Sequence, residues 1–288
     1  MRVLVTGGSG QLGRALLARA PQDMEVLSPE RGVLDLADQS SIENVMRRIR
    51  PDLVINAGAY TAVDKAESDR EQAHAINAHA PGVLAKECHA MGAALIHVST
   101  DFVFDGTSSV PYASDAQARP LSVYGETKLA GERAVRAISG LKWSIVRTAW
   151  VYASQGRNFV LTMLRLFRER DSVSVVADQI GTPTSAPTLA QCIWSIAKAD
   201  AEQQVYHFTD AGAASWYDFA VAIYEEARAL GLLNKDVTIT PIATEQYPTP
   251  AKRPSYSVLD KRSTWSRLQL APEHWRIALR RTLQEIRA

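Results

Sequence analysis

Two cysteines in 288 residues are too few for a disulfide framework or a thiolate metal site. Cys88 and Cys192 fall in segments patterned as helices, without ligand spacing, and read as buried small hydrophobes in a reducing compartment. No apolar run approaches the roughly 20 residues of a membrane span. The apolar opening Val3 to Val5 is also far too short for a signal-peptide core, so the expected location is the cytoplasm. Nor is there an excess of either charge. Against 31 acidic residues stand 32 basic ones, a net charge of +1, and no global field draws in nucleic acid or an anionic membrane. Any anionic ligand must therefore be met locally. Internal repeats and low-complexity tracts are absent as well.

What the chain does have is enough apolar content, 46%, for a sizeable core in one large or two modest domains. Short β-branched runs at Val3 to Thr6, Glu25 to Leu27, Leu53 to Asn56, Ala94 to Ser99, Ser144 to Thr148 and Val173 to Val176 read as buried parallel strands. Helical patterns separate them at Gln11 to Ala20, Ser40 to Arg50, Lys65 to Met91, Ser122 to Ser139 and Asn158 to Arg170. The alternation predicts an α/β fold, a doubly wound parallel sheet. Past residue 150 the composition shifts toward Thr, Pro and aromatics, including Trp194, Trp216, Trp265 and Trp275. Residues 1–150, with a return near 177–201, are expected to form the nucleotide-binding domain, and 151–288 mainly a smaller substrate domain.

Two motifs carry chemistry. The first strand runs into Thr6-Gly7-Gly8-Ser9-Gly10-Gln11-Leu12-Gly13 and then a helix, which is the dinucleotide fingerprint in its required context. Gly7 permits the tight turn, Gly10 admits the pyrophosphate to the backbone, and Gly13 allows close helix packing, while the helix N-terminus offers free N–H groups. The second motif is Ser99-Thr100-Asp101 followed by Tyr124-Gly125-Glu126-Thr127-Lys128. Four residues apart on a helix, Tyr124 and Lys128 share a face, so the ammonium is expected to favour the ionised phenol and make it a better proton donor near neutral pH. Such a pair also arises by chance on solvated helices. Thr100, ending an apolar run, could hold the same oxygen.

Together the two motifs resemble the extended short-chain dehydrogenase/reductase family, with its Thr-Gly-x-x-Gly-x-x-Gly turn and its Ser/Thr, Tyr and Lys set. Within it, four segments are similar to signature segments of the dTDP-4-dehydrorhamnose reductases: Val54 to Glu67, Ser99 to Gly106, Arg147 to Tyr152 and Asp178 to Thr184. The resemblance runs nearly the whole chain and is weakest beyond Ala201. It implies a Rossmann-type sheet with a smaller C-terminal substrate-binding domain. The implied activity is reduction of the C4 carbonyl of a dTDP-sugar, with Tyr124 as proton donor, Lys128 tuning it and holding the nicotinamide ribose, and Thr100 binding the carbonyl oxygen. Asp101 could assist proton transfer or simply form a turn. Sugar-nucleotide dehydratases follow Thr-Asp with Glu; here Phe102 stands there and cannot exchange protons.

Further candidates are Trp150 and Arg253, by resemblance, and Asn158 and Gln179, which lie near loops in the substrate half. Trp150 would wall the sugar or pack in a core, and Asn158 would bind the substrate or cap a helix. Gln179 is a further hydrogen-bonding candidate, and Arg253 would grip the diphosphate or lie on the surface. The cofactor lining would include Asp35 and Leu36 beside the adenine, and Ala57, Gly58, Ala59 and Tyr60 after the third strand. Cofactor choice rests on Leu27-Ser28-Pro29-Glu30-Arg31-Gly32: Glu30 favours NADH, whereas Arg31 with Ser28 favours the 2′-phosphate of NADPH. The reading leans to NADPH with NADH tolerated. Ala15 and Pro187 stand where some relatives place acidic metal-bridging residues, so no metal is expected. Monomer and homodimer are both left open. A related 4-keto-6-deoxy sugar nucleotide is the nearest alternative substrate, and a non-catalytic subunit like the regulatory beta subunit of methionine adenosyltransferase is the alternative of another class.

Overall fold

A computed structural model describes residues 1–199 and 203–287. Five strands follow one another through the first half: β1 (Arg2–Thr6), β2 (Glu25–Leu27), β3 (Leu53–Asn56), β4 (Ala94–Thr100) and β5 (Trp143–Thr148). A sixth, Gln204–His207, joins from the second half, and the parallel sheet runs Gln204–His207, β5, β4, β3, β1, β2. Strand β3 is buried throughout, as is β5, because helices cover both faces. On one face α1 (Gln11–Ala18) packs with the helix Ala186–Lys198 around Leu16, Leu189 and Ile193; on the other, Met46, Leu84 and Leu95 interlock. The indole of Trp194 ties the first pair by donating to the Leu16 carbonyl at 3.1 Å. Strand order reverses between β1 and β3, and ligands of open α/β sheets bind at such a reversal, outside the carboxyl ends of the strands.

The expected strand Val173 to Val176 lies elsewhere. As Ser172–Val176 it pairs in parallel with Thr238–Ile242 in a separate two-stranded sheet. Its partner lies more than 60 residues on, a pairing local pattern does not encode. These strands flank a second core built on the helices Phe159–Glu169, Trp216–Ala229 and Trp275–Arg287, with Phe167, Phe219 and Leu279 fully buried. Of the return expected near 177–201, residues 200 and 201 lie outside the described residues, as does Ala288 at the chain's end.

The single helix expected from Lys65 to Met91 is broken into Val63–Ala66, Arg70–His74, a π-helical turn Ala75–His79 and Ala80–Met91. Pro81 explains the π turn. It has no N–H for the Asn77 carbonyl, and its ring crowds that group. Among the described residues no helix is long and apolar enough to cross a membrane.

Candidate active site

The glycine turn is forced by close contacts. Gly7 adopts φ +69°, and a Cβ there would stand 2.6 Å from the Gly58 Cα. On Gly13 a Cβ would meet the Gly7 carbonyl at 2.1 Å, so α1 packs directly on the loop. The N-cap Gly10 offers no side chain and the first turn holds no acidic residue, which leaves the helix N-terminus open to an anion. Beneath this turn Thr6 Oγ1 donates to Asn56 Oδ1 at 2.6 Å and accepts from Gly58 N, while the Asn56 amide meets His97 Nδ1 at 3.0 Å. This buried chain fixes the ends of β1, β3 and β4 together.

A cleft of about 650 Å³ opens above the turn. Gly7, Gly10, Gln11, Leu12 and Gly13 line it, as do Arg31, Asp35, Leu36, Ala57, Gly58 and Ala59. Tyr124 and Lys128 close its far end. Tyr60 does not line the cleft: its hydroxyl donates to Asp69 at 3.0 Å, and its backbone is clamped by Asn77. The Ser28 hydroxyl is turned to the Val5 carbonyl, whereas Arg31 stands exposed on the cleft wall. The cradle suits a dinucleotide, since side-chain-free Gly7, Gly8, Gly10 and Gly13 line it at the open N-terminus of α1. Thr148 adds a second sign, for its hydroxyl borders the cleft while buried without a partner.

Ser122 caps the helix Val123–Arg136 by accepting from Gly125 N, which starts the helix one residue before Tyr124. A Cβ on Gly125 would lie 2.3 Å from the Phe102 carbonyl, so the helix start rests on the turn Asp101–Val103. Thr100 caps that turn and donates to Asp101 at 3.0 Å. Burial pushes the Tyr124 phenol up to about 12; the neighbouring Thr100 hydroxyl opposes this and the Asp101 carboxylate reinforces it. The anticipated lowering by Lys128 is therefore not what the chain alone produces. Desolvation dominates, no lowering by Lys128 is seen, and the Lys128 ammonium points to the Val98 carbonyl at 2.7 Å. Lys128 is itself pulled down to about 8 by burial, with Glu132 opposing. Asp101 is pushed up to about 6, again by burial, with the Ser257 and Thr100 hydroxyls pulling back. A neutral phenol, a threonine hydroxyl and a buried ammonium thus meet beside the cleft, an arrangement able to donate a proton to a carbonyl oxygen.

Like Thr100 and Asp101, the remaining candidates sit outside the cleft lining. Phe102 packs edge-on against the Tyr124 ring, centroids 5.6 Å apart. Trp150 occupies the left-handed region, φ +47°, and stacks on Trp216 at 3.5 Å, so one face is already covered. Asn158 caps Phe159–Glu169 by accepting from Leu161 N, and its amide donates to Gln11 and to the Ala153 carbonyl. Of its two alternatives, capping is the one this geometry displays. Gln179 donates to Thr244. Arg253 forks onto both oxygens of Asp64 at 3.0 and 2.8 Å and holds that carboxyl below its usual range.

Asn77 went unread in the sequence. Its amide oxygen accepts from Tyr60 N at 2.8 Å, and its nitrogen donates to the Tyr60 carbonyl and to Thr127, between Tyr124 and Lys128. One side chain on the π turn thus ties the β3 loop to the Tyr124 helix. The only sequence signal was an Asn four residues before a proline inside a helical pattern.

The sheet order, glycine turn and Thr–Tyr–Lys grouping define a nucleotide-dependent oxidoreductase of the short-chain dehydrogenase/reductase type. More narrowly, residues 1–288 match the family model described as "RmlD substrate binding domain", and the chain belongs to that family. It is 40% identical to the dTDP-4-dehydrorhamnose reductase of Escherichia coli K12, over 99% of this chain and 98% of that one. Among solved structures it resembles a dTDP-4-dehydrorhamnose reductase from Clostridium acetobutylicum (TM-score 0.93, 38% identity, all of both chains). It also resembles the Bacillus anthracis dTDP-4-dehydrorhamnose reductase in complex with NADP (TM-score 0.92, 34% identity, 99% of both chains).

Proposed function

We propose that this chain reduces the C4 carbonyl of dTDP-4-dehydro-L-rhamnose to give dTDP-L-rhamnose, with NADPH as preferred reductant. The observation that carries the reading is that Tyr124 and Lys128 line a glycine-floored cleft while the Thr100 hydroxyl bonds the Tyr124 phenol from behind the lining. In this reading residues 1–150, with a return near 177–201, hold the dinucleotide, and 151–288 mainly hold the sugar nucleotide. When bound, the reduced nicotinamide supplies a hydride. Tyr124 keeps its proton until charge develops on the sugar oxygen and then donates it; burial, which holds the phenol neutral, suits a donor. Thr100 steadies the same oxygen, and Lys128 places a positive charge behind the phenol. Arg31 meets the 2′-phosphate. The protein works in the cytoplasm as a monomer or homodimer, and its product is a donor for surface polysaccharide.

The test is oxidation of NADPH, and separately NADH, by the purified protein with dTDP-4-dehydro-L-rhamnose, beside Tyr124→Phe. Loss of the phenol should lower kcat by about 10²- to 10⁴-fold. Near-native turnover in the variant, or none in the parent, would overturn the assignment.

A further inference from the structure

A third buried ionisable group stands on the Tyr124 helix, one turn beyond Lys128. Glu132 is fully buried and accepts three hydrogen bonds: from Ser99 Oγ at 2.6 Å, Arg147 Nε at 2.8 Å and Arg147 Nη2 at 2.7 Å. Each donor residue immediately precedes a threonine at the site. Ser99 precedes Thr100 at the end of β4, Arg147 precedes Thr148 at the end of β5, and the two pairs stand opposite in register. One carboxylate therefore gathers the ends of both strands onto the helix that carries Tyr124 and Lys128.

Arg147 is held in its turn, by the Ser114 carbonyl at 3.2 Å, by His207 Nε2 at 3.3 Å and by the face of Phe104. The network thus reaches from the Tyr124 helix to the strand Gln204–His207. Stability alone does not account for it, because a buried ion pair contributes little over apolar side chains of similar volume. Charge does give it a purpose. The groups facing Lys128 are Tyr124 and Glu132 on its own helix and His97 on β4, whose ring burial keeps neutral. Arg147 adds a second cation on β5. Among these Glu132 alone is an anion.

We propose that Glu132 is a positioning residue for the reaction, registering Tyr124 and Lys128 against Thr100 and holding Lys128 in its charged form. This role rests on the reductase reading, but its first readout does not. Lys128 is titrated in the cofactor-free protein by NMR of labelled lysine side chains, in the parent, in Glu132→Gln and in the double variant Glu132→Leu with Arg147→Met. The double variant removes both charges at once and so leaves no buried charge unpaired. The Lys128 midpoint should fall by about one unit or more in Glu132→Gln, whereas in the double variant loss of the Arg147 cation offsets loss of the carboxylate and the readout is kcat. With substrate and cofactor, the alkaline limb of kcat should move down by the same amount while KM changes little. A folded Glu132→Gln with the parental Lys128 midpoint, or a folded double variant with parental kcat, overturns the proposal. If neither variant folds, Ser99→Ala removes a single donor. A lowered kcat at unchanged melting temperature then supports the tie, and unchanged kcat refutes it. If the parent shows no turnover, the reductase reading fails while the titration still decides for or against Glu132.

Discussion

Replacing Lys128 with Met should make the protein more sensitive to its own chemistry than to its fold. Burial lowers Lys128 from its usual 10.5 to about 8, so between these values the unfolded chain carries a proton that the folded chain has lost. Stability rises with pH wherever the unfolded state binds more protons. The lysine therefore destabilises the parent fully below pH 8, and this penalty fades as pH climbs to 10.5. A depression of that size corresponds to about 3 kcal/mol. Lys128→Met abolishes the penalty, although it also strips the Val98 carbonyl of its donor, a loss of about 1–3 kcal/mol that does not vary with pH. The diagnostic is therefore the slope. The stability of the variant minus that of the parent should shrink by about 3 kcal/mol between pH 8 and 10.5. Buried Cys88, Cys192 and Tyr124 oppose alkaline stability, but they are common to both proteins and cancel in the difference. Urea unfolding without cofactor at pH 7, 8, 9 and 10 is the assay. A difference that stays flat across this range would refute the reasoning.

Arg31→Ala should raise KM for NADPH about tenfold or more, the value of a charged hydrogen bond, and leave NADH little changed; equal effects would remove Arg31 from the 2′-phosphate. Asp101 is raised from 3.8 to about 6, so the fold loses stability as pH rises through that window. Asp101→Asn should then raise the melting temperature at pH 7 but not at pH 4 while slowing turnover, and an equal shift at both pH values would contradict this. A Cβ on Gly181 would stand 2.6 Å from the Trp150 ring, so Gly181→Ala should displace that indole and raise KM for the sugar nucleotide with cofactor KM unchanged, read by steady-state kinetics and Trp fluorescence.

What could be read from the sequence is what lies within a dozen residues. The glycine turn needs one strand end and one helix start, and Tyr124 with Lys128 needs a single helix turn, so both stand in the linear pattern. The parallel partners of β1 through β5 follow from the alternation of strands and helices. The strand Gln204–His207 does not, because Gln-Val-Tyr-His is too short to show a period and its place beside β5 is decided by a distant edge. The same distance hides the pairing of Ser172–Val176 with Thr238–Ile242, Arg253 with Asp64, and Trp150 with Trp216. Asn77 was obscured for another reason. It lies where Pro81 distorts a helix, and a periodic pattern passes smoothly over a π turn.

The site is assembled from groups that the fold holds at a cost. Lys128 and Asp101 are titratable side chains pushed by burial toward their neutral forms, and Trp150 sits in a backbone region that strains a bulky residue by about 1–3 kcal/mol. Such features persist only where their surroundings over-determine them. Here the surroundings are identifiable: Trp216 on one face of Trp150 and Gly181 against its ring, Asn77 between the β3 loop and Thr127, and the fully buried layers on both sides of the sheet. A side chain with no such framework relaxes toward water. That a buried ammonium stands one helical turn from Tyr124, with a carboxylate one turn beyond it, is therefore better explained by proton transfer than by stability.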